Sequence, residues 1–287
     1  MIWWITFKNL FGNFFCQLKL FFIVFLCLFI FSSKNRALAI STPKVSSSPY
    51  IVIIDPGHGG SDHGATTELE LSEQNKKQII YEKDLALGIA LRVGRVLNDP
   101  KYWSPLNRRV KVIFSRIKDE EVSLEDRSKI AKKNTADLFV SIHLNSESSG
   151  KVSGIETYFL NNTDNASNKK LAEIENKSSR KYASIKPESL ILRSVAADAV
   201  VESSRRAAEF IHNSLLQHLE SLEVPQKNRG VKQALLYVLL DAQTPAVLLE
   251  PLFLSNKKDA LFLTQAENRQ KFAEGIAIGI LRYLALR

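Results

Sequence analysis

Cysteine is nearly absent from this 287-residue sequence, which contains only Cys16 and Cys27. Both lie in the first 39 residues, so the chain from Ile40 onward has none. A fold built from that remainder cannot rely on disulfides. Any metal site in it must be made from His, Asp and Glu side chains.

The sequence also lacks an apolar run long enough for an ordinary membrane span, which needs about 20 residues. Its longest early run is Leu20–Phe31, preceded by Lys8 and Lys19 without acidic residues and followed by Ala37-Leu38-Ala39. A basic start, a short apolar core and a small-x-small site predict a cleaved signal peptide over residues 1–39. We therefore expect export to the periplasm or cell envelope. The alternative is an uncleaved anchor, in which case the leader alone contacts the membrane.

Acidic residues are fewer than basic ones, and the formal net charge is +9. Four basic residues and no acidic residues fall in the predicted leader, which leaves +5 for the remainder. A modest positive charge suits adsorption to an anionic polymer such as cell wall, although a generic soluble surface explains it equally well. No nucleic-acid partner is expected. The remaining chain is long enough for one domain with a substantial core.

Several catalytic motifs are missing as well. There is no H-E-x-x-H, no G-x-S-x-G and no P-loop in the chain. Their absence argues against the metalloproteases, serine hydrolases and nucleotide-binding enzymes that carry them.

The hydrophobic pattern predicts alternating strands and helices after a Ser- and Pro-rich linker over residues 40–49. The predicted strands are 50–55, 109–114, 137–143, 154–160, 232–240 and 245–249, and the predicted helices are 82–97, 123–133, 195–222 and 268–286. This alternation favours a single α/β domain over residues 50–287, with a mostly parallel sheet and helices on both faces.

Residues 161–193 interrupt this pattern with many Asn, Ser, Lys and Glu residues and weak periodicity. Loops of this length are uncommon within a compact domain and are often functional. One hypothesis is a mobile flap over a groove, displaced by an activator protein. The other interpretation is that the insert is only a polar loop.

Four residues with metal-binding or catalytic chemistry fall at comparable places in this layout. His58 follows the first strand, His143 closes the third, Glu250 closes the last, and Glu82 begins the first helix. In open α/β sheets, sites form at the carboxyl ends of strands and the amino ends of the following helices. All four side chains are therefore expected to meet at one edge of the sheet.

Taken singly, two of these residues have ordinary explanations. His58 suits an exposed Gly-rich turn, and Glu82 suits the favourable start of a helix. His143 and Glu250 end apolar strands, where an imidazole or carboxylate needs a partner or a function. Together, two imidazoles and a carboxylate form an open three-ligand zinc site, and a further carboxylate supplies a general base.

At these residues the sequence resembles the zinc-dependent N-acetylmuramoyl-L-alanine amidases of bacterial cell-wall turnover. Five segments match the family pattern and follow its order: Ile54–Ala65, Tyr81–Asp84, Phe114–Arg116 through Ser141–Asn145, Arg229–Gln233 (the weaker match) and Leu249–Asn256. The resemblance covers the chain from about Ile51 to the C-terminus.

The resemblance implies that His58, Glu82 and His143 bind one Zn²⁺ and that Glu250 is catalytic. It also implies a twisted six-stranded sheet and cleavage of peptidoglycan between muramic acid and L-alanine. Two other functions remain open at this point. One is a cell-wall-binding scaffold without turnover, and the other is a zinc peptidase of related fold, since fold alone does not determine function.

This chain departs from the family at two places. His63 stands where members usually carry Pro, and we interpret it as a solvent-facing loop residue. Pro251-Leu252 replaces a small, Gly-containing pair after the catalytic glutamate, and its bulk is expected to reshape the groove. His212 and His218, six residues apart on one predicted helix, are interpreted as structural.

Overall fold

The computed structural model describes residues 48–70, 77–103, 106, 108–178 and 198–287. The predicted leader, residues 40–47 of the predicted linker and residues 179–193 of the polar insert lie outside them. The described residues belong to one compact unit, Val45–Arg287. Among their helices, none has both the length and the apolar character of a membrane span.

Six strands form the central sheet, and a hairpin forms a second, smaller one. The strands are β1 (Tyr50–Pro56), β2 (Thr66–Glu70), β3 (Lys77–Tyr81), β4 (Val110–Phe114), β5 (Leu138–Ile142), β6 (Ile155–Leu160), β7 (Asn228–Ala234) and β8 (Ala246–Glu250). The order in the central sheet is β4-β1-β5-β8-β6-β7, and β2 pairs with β3. Only the β6–β8 pairing in the central sheet is antiparallel. The predicted mostly parallel, six-stranded α/β fold is confirmed.

Helices lie between the strands. They are α1 (Glu82–Asn98), α2 (Leu124–Lys133), α3 (Ala166–Glu175), α4 (Asp198–Ser221), α5 (Tyr237–Leu240), α6 (Lys257–Thr264) and α7 (Ala266–Leu284), with 3₁₀ turns at Pro100–Tyr102 and Asn176–Ser178. Helix α2 is capped by Ser123, whose Oγ accepts a hydrogen bond from the Asp126 amide.

The core lies on both faces of the sheet. One cluster joins the inner faces of α1, α4 and α7 to one face of the strands, and a second joins α2, α3 and α5 to the other. Every residue of β5 and β8 is buried. A strand covered on both faces is uniformly apolar, which explains why these two were evident from the sequence.

The prediction of a strand over residues 232–240 is wrong in part. The strand is β7, which ends at Ala234, and Tyr237–Leu240 forms the short helix α5. A short apolar run suits a buried strand and a buried helical turn equally well. Tertiary contacts favour the turn here, since the Tyr237 amide donates to Asn176 Oδ1.

Two further elements differ from the prediction. The hairpin β2–β3 occupies a segment in which no strand was predicted, and only Leu69 and Ile80 of its strand residues are buried. The polar insert contains α3, which is capped by Asn165 and buries Leu171 and Ala172. Segments with so few buried apolar residues show almost no hydrophobic periodicity. Neither the hairpin nor α3 could therefore be recognised from the sequence.

The topology places three strand ends side by side. Strands β1, β5 and β8 are adjacent and parallel, so Pro56, Ile142 and Glu250 reach the same edge of the sheet. Helix α1 begins next to this edge, where the Glu82 amide donates to the Ala65 carbonyl. This is the arrangement that the sequence pattern predicted.

Candidate active site

His58 lies in a strained turn just beyond β1. Its φ of 56° is in the left-handed region that non-glycine residues rarely adopt. Such strain persists where the surroundings enforce it, and it clusters at functional sites. Here the Arg127 guanidinium donates to the carbonyls of His58 and Pro56, both at 2.6 Å. Arg116 donates to the Gly57 carbonyl at 2.7 Å, so two buried arginines shape this turn.

Three of the predicted site residues meet at one point. Glu82 Oε1 lies 3.0 Å from His58 Nε2 and 3.2 Å from His143 Nδ1. The same two nitrogens are 3.2 Å apart. The structure therefore brings His58, Glu82 and His143 together as predicted, with one donor atom from each directed at a common centre.

Neighbouring groups orient these side chains. Asp62 Oδ2 lies 3.0 Å from His58 Nδ1, which leaves Nε2 facing the centre. Glu82 accepts hydrogen bonds from the Ala65 and Leu144 amides, both at 2.8 Å. Such partners are common behind metal ligands, because they hold ring and carboxylate in one orientation.

Glycine is required at two positions beside these ligands. A Cβ at Gly57 would lie 2.5 Å from the His143 ring. A Cβ at Gly64, where φ is 65°, would lie 2.6 Å from both Glu82 and His58. The Gly-rich segment thus gives the ligands room to approach one another, a role that its sequence alone did not reveal.

The electrostatics of the cluster favour positive charge at its centre. Burial by itself would lower the pKa of His58, but the Glu82 carboxylate and the hydrogen bond that His58 donates to Asp62 raise that pKa to about 10. Burial would also lower the pKa of His143, but Glu175 and Glu82 raise it to about 10. Burial would raise the pKa of Glu82, yet the two imidazoles hold it well below its usual range. Buried carboxylates that stabilise protonated imidazoles would equally stabilise a cation.

Glu250 lies beside this cluster at the end of β8. Its side chain is fully buried, and neither carboxylate oxygen has a hydrogen-bond partner among the described residues. Burial, followed by the nearby charges of Glu175, Glu82 and Glu156, raises the pKa of Glu250 well above its usual value. A buried carboxylate without a partner carries a large desolvation cost, which suggests a functional role.

Glu175 is a fourth member of the cluster that the sequence analysis missed. It closes α3, and its Oε2 lies 2.7 Å from His143 Nδ1 and 3.7 Å from His58 Nε2. Its side chain is only 8% exposed, so it is held in the site. One donor atom from each of His58, Glu82, His143 and Glu175 lies within 4.8 Å of the others. No sequence signal marks Glu175, because its helix is embedded in a polar insert.

A cavity of about 410 Å³ opens beside these ligands. Leu171 and Ile174 of α3 form part of its wall, together with His58, Glu82 and Glu175. Insert residues between Leu171 and Ser178 therefore cover the cluster of His58, Glu82 and His143.

The other histidines lie away from the cluster. His212 is buried between Thr157 Oγ1 and Asn228 Oδ1, at 3.0 and 2.9 Å, and His218 lies near Glu274. His63 is exposed, as predicted, and its ring contacts Tyr81. None of these three histidines lies in the cluster, in agreement with the interpretation of His212 and His218 as structural and of His63 as solvent-facing.

The pair Pro251-Leu252 is buried directly after Glu250. Leu252 is 1% exposed and packs in the hydrophobic core, and neither residue lines the cavity beside the ligands. The bulk of Leu252 is accommodated inside the protein, while Phe253 lines a neighbouring cavity.

Comparisons with known proteins agree with this geometry. A family profile described as N-acetylmuramoyl-L-alanine amidase matches residues 52–282. The amidase AmiA of Escherichia coli K12 is 31% identical over 84% of this chain and 78% of its own length. An N-acetylmuramoyl-L-alanine amidase from Clostridium difficile 630 has 29% identity and a TM-score of 0.59 over 83% of this chain and 98% of that one.

One further solved structure is a complex. It is described as the CwlD amidase from Clostridioides difficile with the GerS lipoprotein. CwlD is 25% identical to this chain, with a TM-score of 0.56 over 83% of this chain and 100% of that one.

Proposed function

Because the chain belongs to the N-acetylmuramoyl-L-alanine amidase family, we propose that His58, Glu82 and His143 bind one zinc ion and that Glu250 is its catalytic carboxylate. The protein is a peptidoglycan hydrolase that cleaves the amide between N-acetylmuramic acid and L-alanine. The observation that supports these roles best is the convergence of three donor atoms beside a buried, unpartnered carboxylate.

The three donors suit zinc by type and by spacing. Zinc in catalytic sites takes three protein ligands, often imidazoles and a carboxylate, at about 2.0–2.2 Å. Tetrahedral ligands at that distance lie about 3.4 Å from one another. The observed separations are 3.0 to 3.2 Å between His58, Glu82 and His143. The unpartnered, buried oxygens of Glu250 are a second indication of a cation nearby.

The residues of this chain then have distinct tasks in hydrolysis. A bound zinc ion supplies Lewis-acid chemistry, polarising the scissile carbonyl and lowering the pKa of the attacking water. Glu250 takes the proton of that water on a carboxylate oxygen and delivers it to the nitrogen of the departing L-alanine. Asp62 orients the His58 ring.

The first test is metal content together with the identity of the product. Zinc-loaded protein is expected to hold about one zinc per chain and to release stem peptides from isolated sacculi. Chelation should abolish release, and added zinc should restore it. Mass analysis should show peptides with a free L-alanine amino terminus.

Other results would favour the alternative functions. Cleavage between two amino acids would identify a zinc peptidase. Binding to sacculi without release, even with zinc supplied, would identify a scaffold.

We further infer that α3 is an inhibitory cover. Glu175 lies against the zinc-binding atoms of both histidines, in the space that a substrate carbonyl needs. Neutral hydrogen bonds hold this cover in place, including Asn168 to the Gln233 carbonyl and Asn176 to the Leu235 carbonyl. A cover held in this way can be displaced by an activator. The CwlD–GerS complex is one case of an amidase of this fold that binds a second protein.

Glu175→Ala is expected to raise amidase activity about 10-fold, since one charge-assisted contact is worth about 1.5–3 kcal/mol. The measurement is the initial rate on a soluble muropeptide. Glu173→Ala is the matched control, because it removes an exposed carboxylate from the same helix and should leave the rate unchanged. A rate that falls in Glu175→Ala would instead make Glu175 part of the working site.

Peptidoglycan lies outside the cytoplasmic membrane, so an enzyme that cuts it must be exported. The pattern of residues 1–39 supports export through a signal peptide, to the periplasm or cell envelope.

A further inference from the structure

A second cavity, of about 420 Å³, adjoins the one that contains the metal ligands. The two cavities share the lining residues Asn145, Ser146, Leu171 and Ile174. Helix α3 forms part of the wall of both, so displacing this cover would open the two cavities into one groove for the substrate.

The two cavities differ in charge. Apart from His58, the ionisable residues around the metal cavity are mainly acidic, namely Asp62, Glu82 and Glu175 against Lys177. The second cavity is lined by three cationic residues and two acidic ones: Lys170, Arg229, Lys232, Glu147 and Glu156. It therefore has a net positive charge, which favours an anionic group.

Two of the cations are held in place by a buried carboxylate. Glu156 Oε1 accepts hydrogen bonds from Arg229 Nε at 2.7 Å and from Lys232 Nζ at 2.5 Å. Its Oε2 accepts from Asn145 at 2.7 Å and from Tyr158 at 2.6 Å. Glu156 is 4% exposed, whereas Arg229 and Lys232 are 27% and 22% exposed. We call Arg229, Lys232 and Glu156 the basic subsite.

One positive charge of the basic subsite remains uncompensated, because one carboxylate faces two cations. Among the described residues, the terminal nitrogens of Arg229 have no hydrogen-bond partner, and its guanidinium lies over the Phe253 ring with Cζ 5.4 Å from the ring centre. A planar guanidinium with free N–H groups is suited to bidentate binding of a carboxylate.

The basic subsite lies one strand away from Glu250. Glu156 and Glu250 are partners in the antiparallel β6–β8 register. Neighbouring strands are about 4.8 Å apart, and an extended peptide advances about 3.3–3.6 Å per residue. A group one residue beyond the scissile amide can therefore reach the subsite.

The substrate restricts which group that is. The lactyl carboxyl of the sugar is consumed in the scissile amide, so a free carboxylate near the cut must belong to the stem peptide. We propose that the basic subsite binds the α-carboxylate of the acidic residue that follows L-alanine, and that Arg229 and Lys232 select substrates in which this carboxylate is free. The proposal rests on the proposed function for its substrate.

The test compares two muropeptides that differ only at this carboxylate. One is muramoyl-L-Ala-γ-D-Glu-L-Lys, and the other has the α-carboxylate of its D-Glu as a carboxamide. We expect the wild-type kcat/KM to be about 10-fold or more higher for the free acid, as expected for a charge-assisted contact. In Arg229→Gln and Lys232→Gln this ratio should fall to within about 3-fold. Arg229→Lys should retain most of the preference.

Lys111→Gln is the matched control, since it removes the same charge from an exposed position on β4, at the opposite edge of the sheet. It should leave the ratio unchanged. A wild-type ratio near one would overturn the proposal, as would an equal loss on both substrates in Arg229→Gln. Arg229 also partners Glu156, so thermal unfolding and metal content of each variant are measured. The wild-type comparison and Lys232→Gln do not depend on the folding of the Arg229 variants.

A binding experiment separates this proposal from the proposed function. The free tripeptide and its carboxamide are titrated into wild-type protein by calorimetry, which requires no turnover. If neither muropeptide is cleaved, the proposed function fails, yet about 10-fold weaker binding of the carboxamide still supports the subsite. Equal binding of the two tripeptides, or binding of neither, overturns it.

Discussion

Glu250→Gln is expected to lower kcat/KM on peptidoglycan by about 10²- to 10⁴-fold while zinc content stays at about one per chain. The substitution keeps the size of the side chain and removes its ability to take a proton. Glu250 has no hydrogen-bond partner among the described residues, so the change breaks no observed structural bond. The fold should therefore be unaffected, and only proton transfer should be lost.

The matched variant is Glu82→Gln, which changes a carboxylate of the same cluster. Glu82 Oε1 lies between the two imidazoles, so this variant should lose zinc and activity together. The measurements are metal content by elemental analysis and initial rates on sacculi. Turnover retained by Glu250→Gln would exclude it as the catalytic base, and loss of zinc would make it a ligand instead.

Arg127→Ala is expected to lower the free energy of unfolding by about 3–5 kcal/mol, the usual cost of breaking a buried ion pair. Arg127 lies 2.7 Å from the fully buried Asp55 and is itself 3% exposed. Its loss would leave the Asp55 carboxylate with only Ser115 and Ser141 as partners. The measurement is urea unfolding at neutral pH.

Lys129→Ala is the matched control on the same helix. Lys129 forms an ion pair with Asp126 in which both side chains are mostly exposed, so its removal should change stability by less than about 1 kcal/mol. Equal effects of the two variants would contradict the role given to the buried pair. Arg127→Ala should also weaken zinc binding by about 10-fold, because Arg127 holds the carbonyl of His58.

The Asp55–Arg127 pair also makes the stability of the folded protein depend on pH, in a direction that follows from the pKa shift of Asp55. Burial would raise the pKa of Asp55, but Arg127, Ser115 and Ser141 hold it below its usual value. A carboxylate with a depressed pKa in the folded state adds stability above its unfolded pKa, about 3.9. That contribution is lost as the pH falls through the lower, folded value. The stability advantage of wild type over Asp55→Asn should therefore persist at neutral pH and shrink below about pH 4.

Much of the proposed metal site followed from local patterns. His58, His143 and Glu250 each follow a buried strand, and such strands are recognisable as short apolar runs. Adjacent parallel strands place their carboxyl ends together, so the meeting of these residues at one edge was predictable. Glu82 was predictable in the same way, because helices that follow such strands begin at that edge.

The structure of the polar insert could not be predicted from such local patterns. Helix α3 has few apolar residues, and its position depends on contacts with Gln233 and Leu235, about 60 residues away along the chain. A different long-range contact, from the Tyr237 amide to Asn176 Oδ1, likewise favours a helical turn over a strand at residues 237–240. Local composition does not encode contacts of this kind, so neither Glu175 nor α5 was expected.

The sequence by itself determined the chemistry of this protein. Without cysteine beyond residue 27, a metal could be bound only by His, Asp and Glu, and the strand ends placed His58, Glu82, His143 and Glu250 together. Only the tertiary structure decided which residues surround these four. It brought Glu175 to the proposed metal ligands, placed Leu252 in the core, and set Arg229 and Lys232 beside Glu156. These contacts join segments that are distant in sequence, and their energies depend on burial and distance that no local pattern contains.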